Sequence, residues 1–184
     1  LEKSIDVPLS YKEMFDITVE GIRKQNAECR VSDEIGAFWR VVQFLVSEGE
    51  IIEDGDFKIR VLARFHSDRF KDIHWNEPRK VLYLQKTRIF MLYKQNCHKI
   101  GDKILPEETL KYYLENSKCF LGEQRMTYHV FKKGVQVIDY EHHNGVNEPI
   151  KKSVQQRSYC FDYQLLAETF EINLELGNTE TPEE

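Results

Sequence analysis

The sequence predicts an α+β fold: N-terminal helices with a β-hairpin, followed by a winged-helix-like unit, meaning a helix-turn-helix with strands around a long loop. Three observations predict it. Apolar residues recur at helical spacing through the first fifty positions, with a turn-punctuated apolar run after them. Two amphipathic segments in the second half are separated only by Asp102 to Leu105. Strand-like runs then follow, broken by a Lys132-Lys133-Gly134 turn and a polar stretch from Glu141 to Pro149.

From Tyr11 to about Gln25, the side chains of Tyr11, Met14, Phe15, Val19 and Ile22 share one helical face. A second helix is expected from Ser32, which can cap its N-terminus, with Asp33 and Glu34 suited to the positive end of the dipole. Ile35, Phe38, Trp39, Val42, Leu45 and Val46 form its apolar stripe, and Gly49 stands where a glycine ends a helix. Glu50 to Ile59 reads as strand, Asp54-Gly55 turn, strand. Residues 67–79 are polar and loop-like up to Pro78, and Val81 to Leu84 is a further strand. Residues 1–78 are expected to form one unit.

The second unit is expected over residues 79–175. A helix from Thr87 to Ile100 turns Ile89, Phe90, Tyr93, Cys97 and Ile100 inward and stops at Gly101. The next helix opens at Pro106, expected at its first position, with Glu107 and Glu108 in the first turn and Leu110, Tyr113 and Leu114 inward. Helices joined so tightly predict helix-turn-helix geometry. Met126 to Phe131, Val135 to Tyr140 and Ser158 to Phe161 read as strands. Asp162 caps a short helix through Leu166, and Phe170, Ile172 and Leu174 alternate as an edge strand would. Residues 176–184 form an acidic tail, expected to be disordered.

The 184 residues carry a formal net charge of −5, which read as a total argues against nucleic acid. By segment the picture changes: residues 1–78 carry −5, residues 79–160 carry +7 and residues 161–184 carry −7. Hydrophobic residues at 41% and aromatics at 12% exclude general disorder. No apolar run approaches the roughly 18–20 residues of a membrane helix. The four cysteines lie far apart with no C-x-x-C, so free thiols in a reducing cytoplasm are expected rather than disulfides or zinc. The first residue is Leu, which fits a piece of a longer chain or a processed product.

The excess positive charge falls on the helix pair and the strand region. Outward positions on the pair are Lys86, Arg88, Lys94, Lys99, Lys103, Lys111, Tyr112 and Lys118; the strand region adds Arg125, Lys132, Lys133, Lys151, Lys152 and Arg157. Cations spread over one face suit phosphate contact, because each neutralised phosphate releases counterions. DNA is the expected partner, bound mainly through its backbone, since few arginines stand on the second helix to read bases. The blander alternatives are an ordinary solvated surface, or a winged helix serving as a protein-docking or self-association module. Asp54-Gly55-Asp56-Phe57-Lys58 contains a D-x-K like that of metal-dependent nucleases, but an Asp-Gly turn explains it better. Glu141-His142-His143, His66 and His74 do not form a cluster at ligand spacing, so no metal is expected. Cys97 belongs to an apolar stripe and is expected in the core. No P-loop, dinucleotide fingerprint or G-x-S-x-G is present; no cofactor, catalytic residue or enzymatic activity is expected of this chain.

Several runs resemble a known family: Glu77-Pro78-Arg79-Lys80-Val81-Leu82-Tyr83-Leu84, Arg88 to Tyr93, Leu110 to Leu114, Phe120-Leu121-Gly122 and Tyr159 to Tyr163. Together, with Phe38-Trp39-Arg40 to Glu48-Gly49-Glu50, they resemble the region after the ATPase module in primase–helicase-like proteins of bacterial mobile elements and prophages. The resemblance spans about residues 30–175. It implies a winged-helix domain that engages DNA behind an upstream ATPase of the same chain, and it carries over no catalytic residue.

Overall fold

The computed structural model describes residues 10–66, 72–132, 134–143 and 146–175. It is a mixed α+β fold. Helix α1, Tyr11–Ser47, opens with a capping box: the Ser10 hydroxyl accepts from the Glu13 N–H while the Glu13 carboxylate accepts from the Ser10 N–H. It runs unbroken for 37 residues, so the two expected helices are one and Ser32 is not a cap. The physical reason is that residues 22–35 contain no glycine or proline, and a lone serine costs a helix interior little. The helix ends as expected, with Gly49 in the left-handed region at φ 69°.

Strands β1 (Phe57–Phe65) and β2 (Ile73–Gln85) follow, then α2 (Lys86–Ile100) and α3 (Glu107–Glu115). Next come β3 (Phe120–His129), β4 (Phe131–Lys132), β5 (Val135–Gln136), β6 (Ile138–His143), β7 (Val146–Lys151) and β8 (Ser153–Asp162), and finally α4 (Tyr163–Phe170). The main sheet is antiparallel in the order β1-β2-β8-β3. The returning strand β8 thus lies between the strand that enters the helix pair and the strand that leaves it.

Several local expectations change. The hairpin expected over Glu50 to Ile59 does not form: only an isolated Glu53–Phe57 bridge joins its arms, and β1 pairs instead with the long β2. Residues 73–79, expected as loop, are strand; Pro78 is accommodated opposite the irregular stretch of β1 between Leu62 and Arg64. The boundary expected near residue 78 therefore falls inside β2. Pro106 is the cap residue of α3 rather than its first helical position. The polar stretch 141–149 is largely the β6–β7 hairpin, in register from Ile138 opposite Lys151 to His143 opposite Val146. Phe170 ends α4 and residues 171–175 make no strand, although Ile172 and Leu174 are buried. Asp162 does cap α4, its carboxylate accepting from the Leu165 N–H at 3.2 Å.

One core joins α1 to the sheet. Trp39 is fully buried with its ring 5.2 Å from those of Phe38 and Phe161, both edge-on. Leu82, Leu84, Ile89, Leu92, Leu110, Leu114 and Leu166 complete it. A smaller cluster lies on the opposite sheet face, where Phe65, Val81, Tyr83 and Cys160 meet Ile73, Trp75 and Met126. The hairpins beyond β3 branch from a junction in which Val130 N–H donates to Lys152 O, Val137 N–H to Val130 O and Lys152 N–H to Val137 O. Phe131 seats this projection on the 52–56 turn: a Cβ on Gly55 would lie 2.8 Å from its ring, so any larger residue there would have to displace the ring.

The N-terminal half of α1 does not enter the core. Tyr11, Met14, Phe15 and Ile22, expected to share one helical face, are exposed.

Candidate nucleic-acid interface

The strand register of β3 and β8 decides which polar residues stand together. Gly122 pairs with Cys160 after a bulge, and from there the pairing is regular. Alternation then puts Glu123 and Tyr159, Arg125 and Arg157, Thr127 and Gln155, and His129 and Ser153 on one face, each pair directly opposite. This is the face that Tyr159 and Phe161 turn toward the helices. Arg125 and Arg157 are exposed, and neither makes an ion pair with any described residue. Two like charges side by side across a strand pair repel, with Cβ atoms only ~5 Å apart, and cost the fold free energy.

The column begins in an interlocked group. Lys86, at the start of α2, donates to Glu123 at 2.6 Å and stands 4.4 Å from the Tyr159 ring centroid. Its side chain is 23% exposed and that of Glu123 only 12%. Lys86 therefore belongs to the packing between α2 and the sheet rather than to a mobile cationic surface. Burial pushes the Tyr159 hydroxyl well above its ordinary pKa, with nearby Glu115 and Glu123 adding to the effect.

The fourteen positions singled out from sequence divide by their partners. Lys86 is held by Glu123, Arg88 by Asp56 at 3.3 Å, Lys99 by Glu50 at 3.2 Å, Lys103 by Glu34 at 3.4 Å and Lys152 by Asp139 at 3.6 Å. Lys94, Lys111, Lys118, Arg125, Lys132, Lys151 and Arg157 make no ion pair with a described residue. Tyr112 is 63% exposed on α3, its ring 6.1 Å from that of Tyr113. Lys133 lies outside the described residues, as do the acidic tail 176–184 and the side chains of Glu141, His142 and His143. Sequence reasoning passed over Thr127 and Gln155, the polar pair next to the arginines; period-two spacing from Arg125 pointed to Thr127, but nothing in the sequence states the register that adds Gln155.

A second feature is a cleft of about 510 Å³ between the 49–56 turn, α2 and the root of the hairpins, lined among others by Gln85, Asp56, Arg88, His129 and Phe131. Asp56 accepts from the Ile52 N–H at 3.0 Å and from Arg88 Nε. Desolvation raises its carboxyl above the ordinary range, and those two donors offset the rise only in part. Asp54 is turned to Lys58 at 2.8 Å, whose side chain is 8% exposed. The D-x-K stretch thus directs its two carboxylates at different cations, and among the described residues no group of three or more potential ligands is placed to hold a metal. No helix among the described residues is long and apolar enough to cross a membrane.

No family model, no curated protein and no solved structure matches this chain.

Proposed function

We propose that this chain is a non-catalytic nucleic-acid-binding module, winged-helix-like in its β2–α2–α3–β3–β8 portion, of a DNA replication or mobile-element primase–helicase protein. The observation that carries the proposal is the exposed Arg125–Arg157 pair. A protein gains nothing in stability from two guanidinium groups held opposite each other, whereas a phosphate lying between them satisfies both. Thr127 and Gln155 extend the same face with neutral hydrogen-bonding groups, and Lys132 and Lys151 lie further along the projecting hairpins. The topology supports the winged-helix comparison: a strand, a helix pair, a leaving strand and a strand that returns between the first two. The aromatic runs that resemble the post-ATPase region of primase–helicases support the assignment to such a parent, whose upstream motor would use DNA held here.

Backbone contact is the mode this surface suits. The exposed cations are scattered over strands and hairpins, while the short α3 carries Glu107, Glu108 and Glu115 against Lys111. Fluorescence anisotropy with a labelled duplex and its single strand tests the reading. Binding is expected at low salt and falls steeply as salt rises; Arg125→Gln with Arg157→Gln should weaken it and reduce the salt slope by about two. Absence of binding at low salt, or unchanged affinity in the double variant, overturns it.

A further inference from the structure

Resting on that nucleic-acid reading, we propose that the ligand is single-stranded DNA. The Arg125–Arg157 pair holds its backbone, and the cleft at the root of the hairpins takes one of its unstacked bases. Strand register links the two features. Arg125, Thr127 and His129 stand on one face of β3, opposite Arg157, Gln155 and Ser153 of β8. His129, at the end of this column, lines the cleft. From Arg125 to His129 the strand advances ~13 Å, a span that an extended single strand covers in a few nucleotides.

The lining of the cleft selects a base rather than a phosphate. Its carboxylates are paired within the chain, Glu50 with Lys99 at 3.2 Å and Asp56 with Arg88 Nε at 3.3 Å. An entering phosphate would meet both acids, and Arg88, the one Lys or Arg of the lining among the described residues, already faces Asp56. A neutral, planar, polar group suits this space. Leu92 and the Phe131 ring give it apolar walls. The side-chain amide of Gln85 and the terminal nitrogens of Arg88, which bond to no described residue, add hydrogen-bonding groups. A nucleobase has both characters: it stacks on aromatic rings and hydrogen-bonds along its edges. The volume of about 510 Å³ is ample, since clefts of ~300–1,000 Å³ enclose molecules larger than a base. A duplex would have to extrude a base to fill it, at a cost in pairing that a single strand does not bear.

Fluorescence anisotropy of the whole chain with three probes of equal length tests the base site: oligothymidylate, the same backbone with every base removed, and an oligoadenylate–oligothymidylate duplex. At equal salt, oligothymidylate should bind about tenfold tighter than either of the others. The two single strands should share one salt slope, because both keep their phosphates. Phe131→Leu, which keeps an apolar side chain on Gly55, should weaken oligothymidylate binding about fivefold, and Gln85→Ala about threefold. Neither change should alter affinity for the abasic strand. Thermal unfolding identifies a variant that has lost its fold, and the other variant then decides. Equal affinity for oligothymidylate and the abasic strand, tighter binding of the duplex, or wild-type affinity in both variants overturns the base site and leaves the arginine pair standing. Absence of binding to all three probes sinks the nucleic-acid reading itself, and the base site with it.

Discussion

Arg125 of β3 stands directly opposite Arg157 of β8, two exposed like charges held in register by regular strand pairing. The repulsion is a cost the fold bears, and it sets the sign of a stability effect. Arg157→Thr should raise the free energy of unfolding by a few tenths to ~1 kcal/mol, because it removes the repulsion and supplies a good strand former. The same variant should bind DNA more weakly. Urea unfolding and anisotropy on one preparation check both; a variant that is less stable and binds equally well would remove the functional meaning of the pair.

Lys86 should behave differently from the free cations. Lys86→Met removes the ammonium held between the nearly buried Glu123 carboxylate and the Tyr159 ring and should destabilise the protein by about 2–3 kcal/mol. Lys94→Met, at an exposed position on the same helix, should change stability by less than ~0.5 kcal/mol. Comparable urea midpoints for the two would show that the Lys86–Glu123–Tyr159 group does not hold α2 to the sheet.

Asp54 and Asp56 should show opposite pH dependence. The Lys58 ammonium holds the Asp54 carboxyl below its ordinary value of 3.8, so the pair contributes stability above that pH and loses it as pH falls through the lowered value. Burial holds Asp56 above 3.8, so its ionised form disfavours folding above the raised value, and that penalty fades as pH falls through it. Asp54 is half exposed, so solvent screening limits the loss: Asp54→Asn should cost up to ~1 kcal/mol near neutral pH and little in acid. Asp56→Asn should be neutral or slightly stabilising near neutral pH, with the difference vanishing in acid. Unfolding curves across the acid range measure both. Loss of a Mg²⁺-dependent DNA cleavage on Asp56→Asn would instead revive the nuclease reading.

Thiol chemistry gives a count. Cys29 is exposed, while Cys97, Cys119 and Cys160 are buried, and burial raises the pKa of all three buried thiols. One thiol per chain should react rapidly with an aromatic disulfide reagent in the native protein, and four in denaturant. Rapid reaction of a second thiol in the native state would mean that the core around the helix pair opens.

The helix pair was legible because its signals are local. Gly101 terminates α2 in the left-handed region at φ 70°, Pro106 marks the start of α3, and both apolar stripes are strong. Asp162 announced α4 for the same reason. The β6–β7 hairpin was legible only at its start, in the Val135 to Tyr140 run, because Glu141 to Glu148 holds a single large apolar residue, Val146, and so shows no alternation. The join of the first two helices was hidden because a cap residue such as Ser32 is a permissive signal, overruled when the chain on both sides favours helix. Among the binding candidates, composition showed where positive charge concentrates. It did not show that Lys86, Arg88, Lys99, Lys103 and Lys152 are paired within the chain, since each partner is 13 to 69 residues distant.

The net charge of −5 illustrates the division between the two levels. Sequence alone determined that a +7 stretch is offset by an acidic front and an acidic end, because charge is additive along the chain. It likewise determined α2, α3 and α4, whose caps and stripes act within a few residues. Tertiary structure decided which cations remain unpaired, that Arg125 faces Arg157, and that the first apolar face of α1 points outward. Those outcomes depend on strand register and on which helix face meets the sheet. Both are set by long-range packing, to which any single segment contributes only part of the free energy.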